Sequence, residues 1–342
     1  MTRLLRGLTV NTWIGLLVVD IVVGLAMSRA TPAFGSTYNL YIVSRDVSVA
    51  LLVALSQMIV LAVGHMNVSV GAIGGLVAIL VGGMMEKMGL PIEVAISIGI
   101  VLAVLSGVMN GGITLLTGIN SFIITLATSI MFLGINLGIT QGTPFYGLPE
   151  GFKAFGQARA QAFPYLGIPT VLVAVLLAVF LNRAVLGRQI LAAGGNLKAA
   201  QLSGLPVTRA VLTAHGISNG LAAIAGILLM SRLGSAQPTI GADWVLASFA
   251  GPIIGGAALT GGSVSVAGTT LAVVLIALIQ NALVLINADP YWVQFLLGAL
   301  ILGGVAIGRL GAIRGRRRVK ESAPRKLRTA PSAEGAGGNG VK

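Results

Sequence analysis

Apolar runs long enough to cross a bilayer dominate this chain and leave it few choices of fold. A helix needs about 20 mostly apolar residues to span a hydrocarbon core about 30 Å thick. Runs of that kind are read at Val10–Met27, Val47–Gly64, Val70–Met85, Ile92–Leu116, Ser121–Thr140, Leu166–Asn182, Ala210–Met230, Trp244–Leu259, Val264–Ile286 and Tyr291–Gly308. The expectation is an all-α integral membrane protein with about ten transmembrane helices and both ends on one side. Only 9% of residues are charged and the mean hydropathy is +0.95, where a soluble domain carries about 25% charge. So little charge cannot cover a water-facing surface. The basic start, MTRLLRGLTV, runs into an apolar stretch interrupted by Asp20, which predicts a retained first span rather than a cleaved leader.

Charge sets the expected orientation. The stretch Arg183–Arg209 carries Arg183, Arg188, Lys198 and Arg209 and no acid, and the segment after Ile307 holds ten Lys/Arg against two Glu. Basic segments stay inside. The N-terminus, with Arg3 and Arg6, the central loop and the C-terminus are therefore expected in the cytoplasm. Asp46, Glu86, Glu93, Glu150, Asp243 and Asp289 fall outside, together with Arg29, Arg45, Lys87, Lys153, Arg159 and Arg232. The net charge of +13 is thus mostly a terminal feature and does not signal nucleic-acid binding. Residues 309–342, rich in Pro, Ser and Gly, are expected to be a disordered tail beside anionic lipid, following a permease domain over 1–308. In the longest outer loop, Gln141–Tyr165, three prolines argue against continuous helix.

Two segments predict discontinuous helices near the membrane midplane: Gly64–Gly75, GHMNVSVGAIGG, and Gly251–Gly262, GPIIGGAALTGG. Glycine-interrupted spans in corresponding parts of two loosely repeated halves point to a transport path. Freed backbone groups there must face protein or a water-filled cavity, since lipid cannot satisfy them. Gln57, His65, Asn67, Ser69, Gly71, Gly255 and Gly256 are the expected lining of that path. Interhelical hydrogen bonding is the alternative for each embedded amide or hydroxyl. The polar groups within the spans are mostly neutral, which suits a polar, uncharged solute. The few embedded ionisable groups, Asp20, His65 and His215, weigh against an ion-coupled transporter.

The chemistry of an enzyme is missing. There is no cysteine and no phosphate-cradling glycine-rich motif; the dipeptide Gly-Lys does not occur. No cofactor or metal is expected on this chain. The central stretch GGNLKAAQLSG reads instead as a short helix with a small-residue face at Ala199, Ala200, Ser203 and Gly204, a docking surface for a cytoplasmic partner.

Three motifs together resemble the permease family of carbohydrate ABC importers, the ribose/xylose/galactose type. The first is Gly64 to Gly71, where His65-Met66-Asn67-Val68-Ser69-Val70-Gly71 stands for the family's Gly-Ile-Asp-Leu-Ser-Val-Gly. The second is Gly194-Gly195-Asn196-Leu197-Lys198-Ala199-Ala200-Gln201-Leu202-Ser203-Gly204, similar to the loop that docks into the ATPase. The third runs from Pro238-Thr239-Ile240-Gly241 through Ile253-Ile254-Gly255-Gly256 to Leu259-Thr260-Gly261-Gly262. The resemblance covers the chain up to about Gly308. It implies a multi-pass subunit of the bacterial inner membrane that moves a monosaccharide, polyol or furanosyl solute by alternating access. It also implies a cytoplasmic ATP-binding subunit that uses ATP and Mg, a second permease (identical or paralogous) and a periplasmic solute-binding protein. Gly194, Gly195, Asn196, Ala199, Ala200 and Gly204 would form the coupling loop, within 183–209. Asn67 replaces the usual Asp, and His65-Met66 replaces Gly-Ile. The rival readings are a permease for branched-chain amino acids or nucleosides, an ion-coupled secondary transporter, and a passive channel.

Overall fold

A computed structural model describes residues 2–287 and, beyond them, residues 289, 292, 295, 298, 299, 302 and 303. The described chain is helical apart from loops and one two-residue hairpin. Its helices are α1 (Thr2–Ala30), α2 (Thr37–Ala62), α3 (Val70–Lys87), α4 (Ile92–Thr117), α5 (Ser121–Thr140), α6 (Glu150–Gln157), α7 (Gly167–Arg183), α8 (Val185–Gly195), α9 (Leu197–Leu202), α10 (Val207–Leu233), α11 (Trp244–Ile254) and α12 (Val266–Leu285). Among them, seven are long and apolar enough to cross a membrane, and α7 with α8, bent by 72°, makes a possible eighth. This is the architecture of an all-α membrane protein.

The core is built on α2 and α10. In each, 78% of the most apolar window is buried, against 22% in α4 and in α5 and 6% in α1. Lipid is as apolar as leucine, so burial here follows close approach rather than hydrophobic sorting. α10 packs on α4, α2 and α3. It crosses α3 where Gly226 meets the Gly74 backbone too closely for any side chain between them. The exposed faces of α4, α5 and α7 are leucine, isoleucine and valine, as lipid contact requires.

Local sequence explains most helix limits. Ser36 caps α2 by accepting from the Asn39 N–H at 3.2 Å, and Ser265 caps α12 by accepting from the Gly268 N–H at 3.0 Å. Pro149 stands at the N-cap of α6, and the prolines of the outer loop leave only that short helix and the hairpin Arg159–Ala160/Phe163–Pro164. Two expectations need correction. The run expected at Trp244–Leu259 is helical only to Ile254, eleven residues and too short to span. Pro252 sits inside the last turn, and Gly256 at φ +90° lies beyond it, a region that ends right-handed helix. The central basic stretch is mostly helix: α8 leaves α7 at Ala184, whose extended backbone makes the bend. The expected span Tyr291–Gly308 lies mostly, and the tail 309–342 wholly, outside the described residues.

Candidate functional site

The break between α2 and α3, residues 63–69, turns back into the bundle to the height of the middle of α10. Its backbone polar groups must be satisfied there. The Met66 N–H donates to Ser121 Oγ and the Val68 N–H to Thr125 Oγ1, both at 3.0 Å. The Gln57 amide, oriented toward the break, donates to the Asn67 carbonyl at 2.8 Å and accepts from its N–H at 3.3 Å. The Asn67 side chain donates to Ser218 Oγ at 2.9 Å and to Asn219 Oδ1 at 2.8 Å, and accepts from the Ser69 N–H and hydroxyl. Asn110 donates to Ser69 Oγ, and Asn219 to Ser106 Oγ. Gln57, Asn67, Ser69, Asn110, Ser218 and Asn219 are all fully buried. The result is a knot that ties the break to α4, α5 and α10, with Asn110 Oδ1 left buried and without a partner among the described residues. Beside it His65 Nδ1 and His215 Nε2 lie 3.1 Å apart, so one ring donates to the other.

A second junction lies at the end of the bundle that carries α9. Here the chain after α2, the α8–α9 corner and the turn before α12 meet backbone to backbone. The Gly262 N–H donates to the Ala62 carbonyl at 2.9 Å. A methyl group on Gly194 would overlap that carbonyl oxygen and lie 2.7 Å from Gly262 N; one on Gly261 would lie 2.7 Å from Gly64 N and 2.8 Å from Gly194 O. No L side chain fits into such contacts. α9 projects from this junction. Asn196 caps it by accepting from the Ala199 N–H at 3.0 Å, and Gly204, at φ +71°, follows it. Leu197 is 52% and Leu202 90% exposed, while Ala200 is buried.

At the opposite end, α2, α10, α11 and α12 enclose a cavity of about 830 Å3. Its wall is mainly aliphatic, with Asp46, Arg232, Asp243, Trp244 and Gln280 as its polar or aromatic members. Arg232 pairs with Asp46 at 2.7 Å. Nearby, Arg45 and Arg159 stack over the ring of Tyr41, and Asn39 and Asn281 exchange amide hydrogen bonds of 2.9 and 2.8 Å. A smaller cavity of about 440 Å3, at the α9 end, is lined by Trp13, Asn182, Gly255, Gly256, Ser263 and Ser265 among others.

Residues 39–305 match the family described as branched-chain amino acid transport system / permease component. The chain belongs to this permease family. The ribose import permease protein of Bacillus subtilis (strain 168) is 34% identical over 299 residues, covering 87% of this chain and 91% of that protein. An autoinducer 2 import system permease protein of Yersinia enterocolitica is 33% identical over 264 residues, covering 75% and 79%. Its counterpart in Salmonella typhimurium is 32% identical over 269 residues, with the same shares. No solved structure matches. The permease is a multi-pass membrane subunit of an importer and has no catalytic role of its own. Membership brings an ATPase and a solute-binding protein as partners.

The geometry sorts the residues singled out in the permease's sequence. Gln57, Asn67, Ser69 and Gly71 are buried, the first three in the hydrogen-bonded knot and Gly71 against the Gly241 backbone; none of them, nor His65, lines either cavity. Gly255 and Gly256 line the smaller one. Of the coupling-loop residues, Gly195, Asn196, Ala199 and Gly204 are exposed and Gly194 is packed into the glycine junction. Ala200 corrects the small-residue face, because it turns into the bundle and leaves Leu197 and Leu202 as the exposed apolar groups of α9. Sequence reading also passed over the cavity at the other end. Asp46, Arg232 and Asp243 registered only as loop charges, although Asp46 lies inside α2 and the other two at the ends of α10 and α11, which both pack on α2.

Proposed function

We propose that this permease imports a neutral monosaccharide or related furanosyl solute, driven by ATP hydrolysis on a separate subunit. The observation that carries the reading is the similarity, over most of both chains, to a ribose import permease. The autoinducer 2 permeases widen the solute class to related compounds.

The orientation follows from charge. α9 lies in the basic stretch and faces the cytoplasm, with both termini on that side of the bacterial inner membrane. Leu197 and Leu202 then form the contact with the ATP-binding subunit, which binds the ATP and Mg; this chain binds no cofactor. The large cavity opens toward the periplasm and the solute-binding protein. A second permease, identical or paralogous, completes the assembly. The breaks 63–69 and 255–265 are counterparts in two related halves; the first reaches the middle of α10 through Asn67, and the second stays at the α9 end. ATP-driven closure of the ATPase pair moves α9, and the junction carries that motion to both breaks. A partner shifts the equilibrium only by binding the two states unequally.

Uptake of labelled sugar into proteoliposomes that hold the whole transporter tests this reading. Transport should need ATP and loaded binding protein, and should survive an uncoupler. Uptake that persists without ATP but collapses with an uncoupler would replace it with an ion-coupled mechanism. Leu202→Glu should insert normally and fail to co-purify with the ATPase, because that side chain touches little of the permease itself. Normal co-purification would remove α9 from the interface.

A further inference from the structure

We infer that the large cavity is a binding site for a neutral sugar within the permease itself, with Asp243 and Gln280 as its hydrogen-bonding groups. The inference rests on the sugar-importer reading and adds the site. At about 830 Å3, the cavity lies within the roughly 300–1,000 Å3 typical of small-molecule pockets, which combine apolar walls with a few placed polar groups. Val49, Val53 and Val273 supply apolar wall, and Trp244, the first residue of α11, closes it from the core side with its indole packed on Gly74.

The polar groups divide into engaged and free. Asp46 and Arg232 hold each other at 2.7 Å. Asp243, exposed at the N-cap of α11 without capping it, and Gln280, half-buried, have no hydrogen-bond partner among the described residues, so water and a solute compete for both groups. A carboxylate accepts from hydroxyls, and an amide both donates and accepts. A molecule with several adjacent hydroxyls satisfies both. Charge narrows the class further. The lining holds two carboxylates and one guanidinium, and that guanidinium is already paired. A sugar phosphate or a free carboxylate would find no open cation among the described lining residues.

The permease has no native cysteine, so Ala247→Cys places one reporter thiol in the cavity wall and Ile276→Cys a second. In membranes holding the whole transporter, a membrane-impermeant maleimide is added with D-ribose, D-xylose, D-galactose or D-ribose 5-phosphate, and labelling of this chain is followed. At least one neutral sugar should slow labelling at both positions, and ribose 5-phosphate should not. Asp243→Ala and Gln280→Ala should each raise the protecting concentration about threefold to tenfold, as loss of one hydrogen bond implies, with the unprotected rate unchanged. In a transporter that imports one of the sugars with ATP, equal labelling with and without that sugar at both positions overturns the site. Equal protection by the sugar phosphate overturns the neutral class. The sugar-importer reading fails separately, if the unmodified transporter takes up none of the three sugars with ATP.

Discussion

The two ends of this bundle are held together by different chemistry. At the α9 end, glycine backbones from three segments touch, and the Gly262–Ala62 hydrogen bond joins two of them. At the other end, side chains make the joints: the Arg232–Asp46 pair, the Asn39–Asn281 amides, and arginines stacked over Tyr41. Backbone contacts leave no rotamer to change, so the glycine junction moves as a unit or not at all. Side-chain pairs reach into water and can be exchanged for other partners. A transporter needs both kinds of joint. A stiff one passes on the motion of an ATPase, and a hydrated one can open to a solute.

The comparison is sharpest at Gly194. Gly194→Ala pushes a methyl group into the Ala62 carbonyl, with backbone on every side. Overpacking against side chains costs about 1–3 kcal/mol; backbone cannot step aside, and the expected loss exceeds about 3 kcal/mol. Thermal unfolding in detergent and ATP-driven uptake should both collapse. Gly195→Ala is the control: its methyl would come no closer than 3.9 Å to Gly262, and it should behave as wild type. Equal behaviour of the two variants would show that the junction has room the geometry denies it.

Next in size is Asn67→Asp, which restores the residue usual in the resembled family. The carboxylate cannot donate, so the bond to Asn219 Oδ1 is lost inside a fully buried knot, while the Ser218 hydroxyl can turn to donate instead. A loss of about 2–3 kcal/mol is expected, visible as a lower unfolding temperature. Unchanged stability would mean that the knot rearranges around the charge. The smallest effect on stability belongs to the other end. Arg232→Ala removes an ion pair whose Asp46 partner is 45% exposed. Pairs of that kind contribute about 0–1 kcal/mol. Stability should barely move, and any change should appear in solute uptake. A fall as large as that of Gly194→Ala would erase the distinction between the ends.

Asn67 also shows how far sequence reading reached. Its place between two apolar spans, α2 and α3, was legible from the sequence, and its polarity suggested a path. What the sequence could not show is that Gln57, ten residues earlier on α2, folds over the Asn67 backbone, or that Ser218 and Asn219 arrive from α10 to accept its two protons. The same groups that would suit a solute suit each other, and only their distances decide between the two. Gly194 falls in the stretch expected to dock a partner, and its contact with Ala62 joins positions more than a hundred residues apart. Leu202 stood in the quoted motif unremarked. Its exposure depends on how α9 sits on the bundle, with Ala200 turned inward.

By itself the sequence determined the class of molecule. Long apolar runs, scarce charge and a basic central stretch leave little besides an all-α membrane protein, because bilayer thickness and the cost of buried charge act on every residue locally. The same local rules placed most helix ends, where Ser36, Pro149 and Ser265 stand. Tertiary structure alone decided which polar groups are spent on one another and which remain free. Hydrogen bonds between α2, α4, α5 and α10 engage most of the polar groups at mid-bundle, while Asp243 and Gln280 line a cavity without a bond to the described residues. That division depends on distances of about 3 Å between helices far apart in the chain, and no local pattern encodes it.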